Sequence, residues 1–551
     1  MRRPPYVVLV ILTLLGGCGR KADIVIQGGT VWTGLSTGRG QPGAVAIGDG
    51  KILAVGDSAD IARYVGSKTE VLRANGGLVM PGLADGHTHF IDGGFQLTSV
   101  NLRDATTPQE FVRRLKDYAL RLKPGEWITG GGWDHTLWRG TPLPHHEWID
   151  SVTPSNPVFV NRLDGHMALA NAAALRAAGV TKATPTPAGG EIPRDASGEP
   201  IGIFKDRAMD LVWRAAPDPS PEQRDSALAR ALAHAASLGV TATGHMSASW
   251  ADLASYRRLE HANRQTVRVF LYLPLDDWHT VADSAARAGA ADDWVRIGGV
   301  KGYMDGSAGS RTAYFFEPFS DSANYRGLMQ HPEADMRKWI GAADSAGLQV
   351  AVHAIGDRAN AILLAIYDSV ARAHGARDRR FRIEHAQHLR SEDISKFGAR
   401  RVVPSMQPYH AIDDGRWLLQ RIGPVRIRTT YAFRTLLDSE APLAFGSDWS
   451  VAPLDPMLGV YAAVSRRTLD DRNPGGWVPE QKITVGEALR AYTSGNAWAT
   501  FNEQKWGTLT AGRFADVVVL DRDPFAVAPE SLGTVHPRYT IAGGKVVYRK
   551  P

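Results

Sequence analysis

Short apolar runs recur along this chain and end in polar residues; eight can be traced between residues 78 and 448. The first passes through Leu78, Val79, Met80 and Leu83 towards His87, with Pro81 and Gly82 marking its entry. The others span 239–245, 267–273, 295–301, 348–353, 381–385, 401–407 and 442–448. Runs of this length, rich in branched apolar side chains, read as buried strands. Helical patterns fall between most of them, at 224–238, 250–263, 335–346, 360–374 and 431–439. Regular alternation of strand and helix predicts a parallel α/β sheet, and eight units predict a (β/α)8 TIM-like barrel.

The two chain ends carry a different pattern. Residues 24–32 and 44–56 form β-rich runs, the second with an Asp49-Gly50 turn; residues 516–521 and 539–548 match them, with a Gly543-Gly544 turn. Neither end has enough strands for a sheet of its own. The expectation is one small β-sandwich built from both ends, residues 22–82 and 505–549, flanking a barrel over 83–504. An insertion at about 95–221 follows the first barrel strand and holds a helix at 107–122 and an exposed Pro/Gly/Ala-rich stretch at 184–198. Its position over the catalytic face predicts a lid and substrate pocket, with Trp133, Trp138 and His166 converging there. The plainer alternative is an inert elaboration of the fold.

Composition narrows the partners. With 44% hydrophobic and 22% charged residues the 551-residue chain can bury a large core. A net charge of +6 and a pI near 9.2 are mild, and no basic stripe alternates with aromatics, so nucleic acid is excluded as a partner. Arg2 and Arg3 precede an apolar stretch from Tyr6 to Leu15 that leads into Leu15-Gly-Gly-Cys18. That is the shape of a secretory signal, too short to span a bilayer. It resembles a bacterial lipobox, which predicts a lipoprotein signal peptide over 1–18, lipidation at Cys18 and attachment to the cell envelope. Cys18 is the single cysteine, so no internal disulfide forms.

The candidate chemistry lies at the ends of the apolar runs. In a strand, side chains two apart share a face, so His87 and His89 can reach one metal ion. Neutral imidazole suits zinc and its neighbours. An isolated His-x-His pair is as readily two surface histidines, but Lys301, His353, His385 and Asp448 end four further runs. Strands that deliver polar groups from their C-terminal ends build the active sites of parallel barrels.

This series resembles the metal-dependent amidohydrolase superfamily. The finer motifs are similar to its YtcJ-like branch (amidohydrolase 3 type), which includes N-substituted formamide deformylase. They are Arg162-Leu-Asp-Gly-His166 with Asn171 and Ala172, Val300-Lys-Gly-Tyr-Met-Asp-Gly-Ser307, His353-Ala-Ile-Gly-Asp357, Arg382-Ile-Glu-His-Ala-Gln387 and Phe445-Gly-Ser-Asp-Trp449. The resemblance implies hydrolysis of a carbon–nitrogen, non-peptide bond in a small-molecule amide by metal-activated water. It implies one zinc ion on His87, His89 and Asp448, a second on His353 and His385, and a carboxylated Lys301 bridging them. Asp448 would serve as base and then acid, and His166 as a donor to the oxyanion. Lys301 as an unmodified lysine beside a single metal, and His166 as a core histidine, stay open. Asp305 and Arg311 are candidates for substrate contact, or equally a turn residue and a salt-bridge partner; Glu384 is a candidate supporter of the metal ligands. The alternatives are a mononuclear deaminase or dipeptidase-like member, or a non-catalytic binding lipoprotein. Self-association as a homo-oligomer is left open.

Overall fold

The computed structural model describes residues 21–138, 142–288 and 293–551, so Cys18 and its signal lie outside the described residues. Eight parallel strands form the barrel: β1 (Leu83–Thr88), β2 (Val240–Met246), β3 (Arg268–Pro274), β4 (Val295–Tyr303), β5 (Val350–Ala354), β6 (Arg382–His385), β7 (Val403–Met406) and β8 (Ala444–Phe445). Each pairs with the next in chain order. The seam between β8 and β1 is nearly closed, by a Thr88–Trp449 bridge and by two hydrogen bonds. The Asp448 N–H donates to the His87 carbonyl at 2.7 Å and the His89 N–H to the Trp449 carbonyl at 2.5 Å.

All eight apolar runs supply barrel strands, with one correction to the first. The run from Leu78 to His87 is two strands broken at Gly82, where a Cβ would stand 2.1 Å from Thr241 Oγ1. Leu78–Pro81 leaves the barrel and pairs with the strands Ile24–Val31 and Val517–Leu520. Helices alternate with the strands where the sequence expects them. Pro221–Ser237 and Trp250–His261 each begin with a reciprocal cap, Ser220 with Gln223 and Ser249 with Asp252. The helix expected at 431–439 is shorter, Phe433–Asp438, because Tyr431 adopts a left-handed backbone (φ 51°) and donates its N–H to Gln387.

Strands from both chain ends join one eight-stranded sheet. The Asp49-Gly50 turn has positive φ at both positions, 50° and 71°, which matches a tight hairpin between Gln41–Gly48 and Lys51–Gly56. The insertion holds a separate six-stranded sheet that includes Ile128–Trp133, Val158–Arg162, Met167–Ala170 and Ile203–Asp206.

That sheet has its own apolar core, and Trp133 belongs to it. Trp133 is fully buried, packs edge-on to Phe111 and donates its indole N–H to the Val160 carbonyl at 2.8 Å. The expectation that Trp133 contacts substrate is therefore corrected. A large ring with its one donor satisfied by backbone is a core residue.

Candidate metal centre

The C-terminal ends of β1, β5, β6 and β8 bring four imidazoles and one carboxylate together. His87 Nε2 lies 3.3 Å from Asp448 Oδ1, and His89 Nε2 lies 3.2 Å from the same oxygen. The His385 ring stands 4.9 Å from His87 and 4.5 Å from His353, centre to centre. Two of the carriers have left-handed backbone at non-glycine residues, His385 (φ 74°) and Asp448 (φ 61°). Strain of this kind persists where the surroundings hold it in place.

Hydrogen bonds fix which nitrogen each buried ring presents. His87 donates from Nδ1 to Glu384 Oε2 at 2.6 Å, and His385 donates from Nδ1 to Gln407 Oε1 at 2.8 Å. Both therefore aim Nε2 into the centre. His353 does the reverse: Nε2 meets the Gly306 carbonyl at 3.1 Å, which leaves Nδ1 free. Burial lowers the pKa of all three rings, and they present neutral lone pairs. His87 Nε2 and Asp448 Oδ1 are both buried without a hydrogen-bond partner. Two unpartnered acceptors facing each other fit a shared cation. Among the described residues, ligand atoms of His87, His385 and Asp448 fall within 4.8 Å of one another.

Lys301 reaches the same region from β4. It is buried, its Nζ lies 3.8 Å from the centre of the Tyr303 ring, and it has no ion pair among the described residues. His166 comes from the insertion, with its ring 4.8 Å from that of His353. Burial opposes its protonation, but Asp206, 2.6 Å from Nδ1, holds its pKa above the ordinary value.

Two other candidates are held by protein groups. The buried Asp305 carboxylate accepts backbone N–H groups from Tyr314, Ile355 and Gly356 at 2.8–3.0 Å and so braces loops, with its Oδ1 3.6 Å from His353 Nε2. Arg311 pairs with Asp321 at 3.0 Å on the surface. These contacts are those of the turn and salt-bridge alternatives. Residues that sequence reasoning missed are Gln407 and Asp206, which orient His385 and His166, and His410, whose Nε2 is 3.9 Å from Asp448 Oδ2. Gln407 alone had a signal, since it ends the seventh apolar run.

The sequence profile of the amidohydrolase family matches residues 70–548. The chain belongs to the amidohydrolase family. This amidohydrolase is 38% identical to Protein LONG AFTER FAR-RED 3 of Arabidopsis thaliana over 96% of the chain and 92% of the relative. It is 31% identical to the putative amidohydrolase YtcJ of Bacillus subtilis, over 95% of the chain and 99% of the relative. N-substituted formamide deformylase of Arthrobacter pascens is 26% identical over 92% of the chain and 95% of its own length. Among solved structures, an uncharacterized metal-dependent hydrolase from Pyrococcus horikoshii superposes with a TM-score of 0.74 at 29% identity. That match covers 92% of this chain and 99% of the other.

Proposed function

We propose that this amidohydrolase is a metal-dependent hydrolase of carbon–nitrogen bonds other than peptide bonds, acting on an N-substituted amide or formamide. The observation that carries the reading is the pair of buried, unpartnered acceptors, His87 Nε2 and Asp448 Oδ1. Likeness to a formamide deformylase supports the substrate class. His87, His89 and Asp448 would hold one zinc ion and His353 and His385 a second, with carboxylated Lys301 between them. When bound, the metal supplies an activated water and polarises the carbonyl. Asp448 takes a proton from the attacking water and returns it to the departing amine. His166, whose charged form Asp206 favours, donates a hydrogen bond to the carbonyl oxygen as charge builds on it. Lys301 is buried with no carboxylate paired to it among the described residues, which leaves its side chain as the one that would carry the carbamate.

A second reading, a single-metal deaminase or dipeptidase-like enzyme, draws on the convergence of His87, His385 and Asp448 on one point. A purely binding role is disfavoured by the full set of ligand side chains at the strand ends. The test is a screen of N-acyl, N-formyl and cyclic amides with zinc-loaded protein lacking residues 1–18, alongside elemental analysis. Two ions per chain with turnover fits the leading reading, and one ion moves it to the second. Bound metal with no carbon–nitrogen substrate turned over defeats both. Lys301→Ala should lose at least one ion, and short carboxylic acids should partly restore it.

We further propose that the chain is lipid-anchored in a bacterial cell envelope through Cys18, on the strength of the preceding signal-like segment and Gly16-Gly17. Cys18→Ser should leave the membrane fraction. Retention equal to wild type would defeat the anchor.

A further inference from the structure

The two histidines of the His87-Thr88-His89 motif have unlike surroundings. His87 is fully buried, and its Nδ1 proton is held by Glu384. Glu384 is held in turn by Arg382, whose Nε donates to Oε1 at 2.7 Å. Nη2 of the same arginine donates to the Gly86 carbonyl at 2.8 Å and to Ser405 Oγ at 2.9 Å. Arg382 and Glu384 are both fully buried inside the barrel. One guanidinium–carboxylate pair thus fixes the ring of His87 and also the backbone beside it.

His89 has no such support. It stands beyond the end of β1, at the cap of helix Phe90–Gln96, and its side chain is 22% exposed. Among the described residues its only polar side-chain neighbour within bonding reach is Asp448 itself. The other two histidines resemble His87, since Gln407 orients His385 and the Gly306 carbonyl orients His353. Three rings are preset, and His89 is the exception.

We propose that His87 is the permanent anchor of the metal centre and His89 an exchangeable ligand, with Glu384 and Arg382 as the positioning pair that separates their roles. The inference rests on the metal-hydrolase reading and deepens it. A ring oriented before the cation arrives loses little freedom on binding, and a carboxylate on its far nitrogen makes it a stronger donor. A partly exposed ring must be ordered on binding, and water can take its place at small cost. Apolar residues of similar volume usually stabilise a fold as well as a buried ion pair does. The Arg382–Glu384 pair therefore needs another reason to be there, and orienting His87 supplies one. An exchangeable ligand on the solvent side would leave room for substrate without dismantling the buried ligands.

The test is zinc affinity of the full chain, measured by competition with a chromophoric chelator, with circular dichroism melts of each metal-stripped variant as the folding control. His87→Ala should lose tight zinc binding, and Glu384→Gln should weaken it about 10–100-fold. His89→Ala should stay within about tenfold of wild type, below the range expected for the positioning pair. Equal losses in His87→Ala and His89→Ala would overturn the proposal, as would unchanged affinity in folded Glu384→Gln. If Glu384→Gln does not fold, the His89→Ala variant still decides, because loss of tight binding there defeats the exchangeable role. Wild-type protein that binds no zinc overturns the metal reading itself, a result distinct from either of these.

Discussion

The interior of the barrel and the core of the insertion bury their polar groups in opposite ways. At the barrel centre Asp85, His87, Arg382 and Glu384 are all fully buried. Burial alone would raise the Glu384 carboxyl, yet Arg382 and His87 hold it well below the usual range. In the insertion core Trp133, Trp138, Phe111 and Leu115 are buried, and the two indole N–H groups go to the carbonyls of Val160 and Ala105 at 2.8 Å. The insertion's buried charges gather instead where it meets the barrel. Arg162 bonds Asp134 at 2.9 Å and Asp164 at 2.7 Å, and Asp164 continues to Ser310 at 2.9 Å in the loop after β4. Aromatic rings hold the insertion core together; the Arg162 group ties it to a loop of the barrel.

The largest effects should come from the two sides of this contrast. Trp133→Ala leaves a cavity and should cost about 3–5 kcal/mol of stability. Metal content should not change, because the ring touches none of the candidate ligands. Unaltered stability with a raised KM would break the comparison and restore a substrate role. Arg162→Ala removes the buried cation between Asp134 and Asp164, which keep Arg416 and the Ser307 and Ser310 hydroxyls, and should cost up to about 3 kcal/mol, read as a fall in melting temperature.

A smaller effect concerns pH. Burial pushes the Asp414 carboxyl from its ordinary 3.8 up to about 7, with Tyr431 and Gln387 hydrogen-bonded to it. A carboxyl whose folded pKa is raised contributes most below its unfolded pKa, and that contribution is lost as pH climbs towards 7. Asp414→Asn should therefore gain stability relative to wild type between pH 4 and 7, in melts across that window. A constant difference across the window would show that this carboxyl does not titrate there. The smallest change belongs to the solvent. Arg113→Ala removes surface contacts to Glu110 and Asp117 and should shift stability by less than about 1 kcal/mol.

The barrel was legible because its signal is local. A buried parallel strand needs a continuous apolar run, and a polar residue at its end has one side of the barrel to face, so His353 and His385 announce themselves. The break at Gly82 was hidden, since it depends on Thr241 lying against it, far along the chain. The insertion was harder to read. An aromatic residue suits a core and a pocket equally, and only its neighbours distinguish them, which is how Trp133 misleads. Supporting residues are the least visible. Asp206 earns its place through a contact with His166 that nothing in the spacing of either residue encodes.

The seam of the barrel has a consequence for the nascent chain. Asp85 accepts the Ser447 N–H across 362 residues of sequence. At about 5–20 residues per second the first side of that seam leaves the ribosome roughly 20–70 seconds before the second. Through that interval the N-terminal motif has no partner strand on its open side. The apolar runs between must assemble around an unfinished ring, and the segment from Phe445 to Trp449 is the clasp that ends the wait.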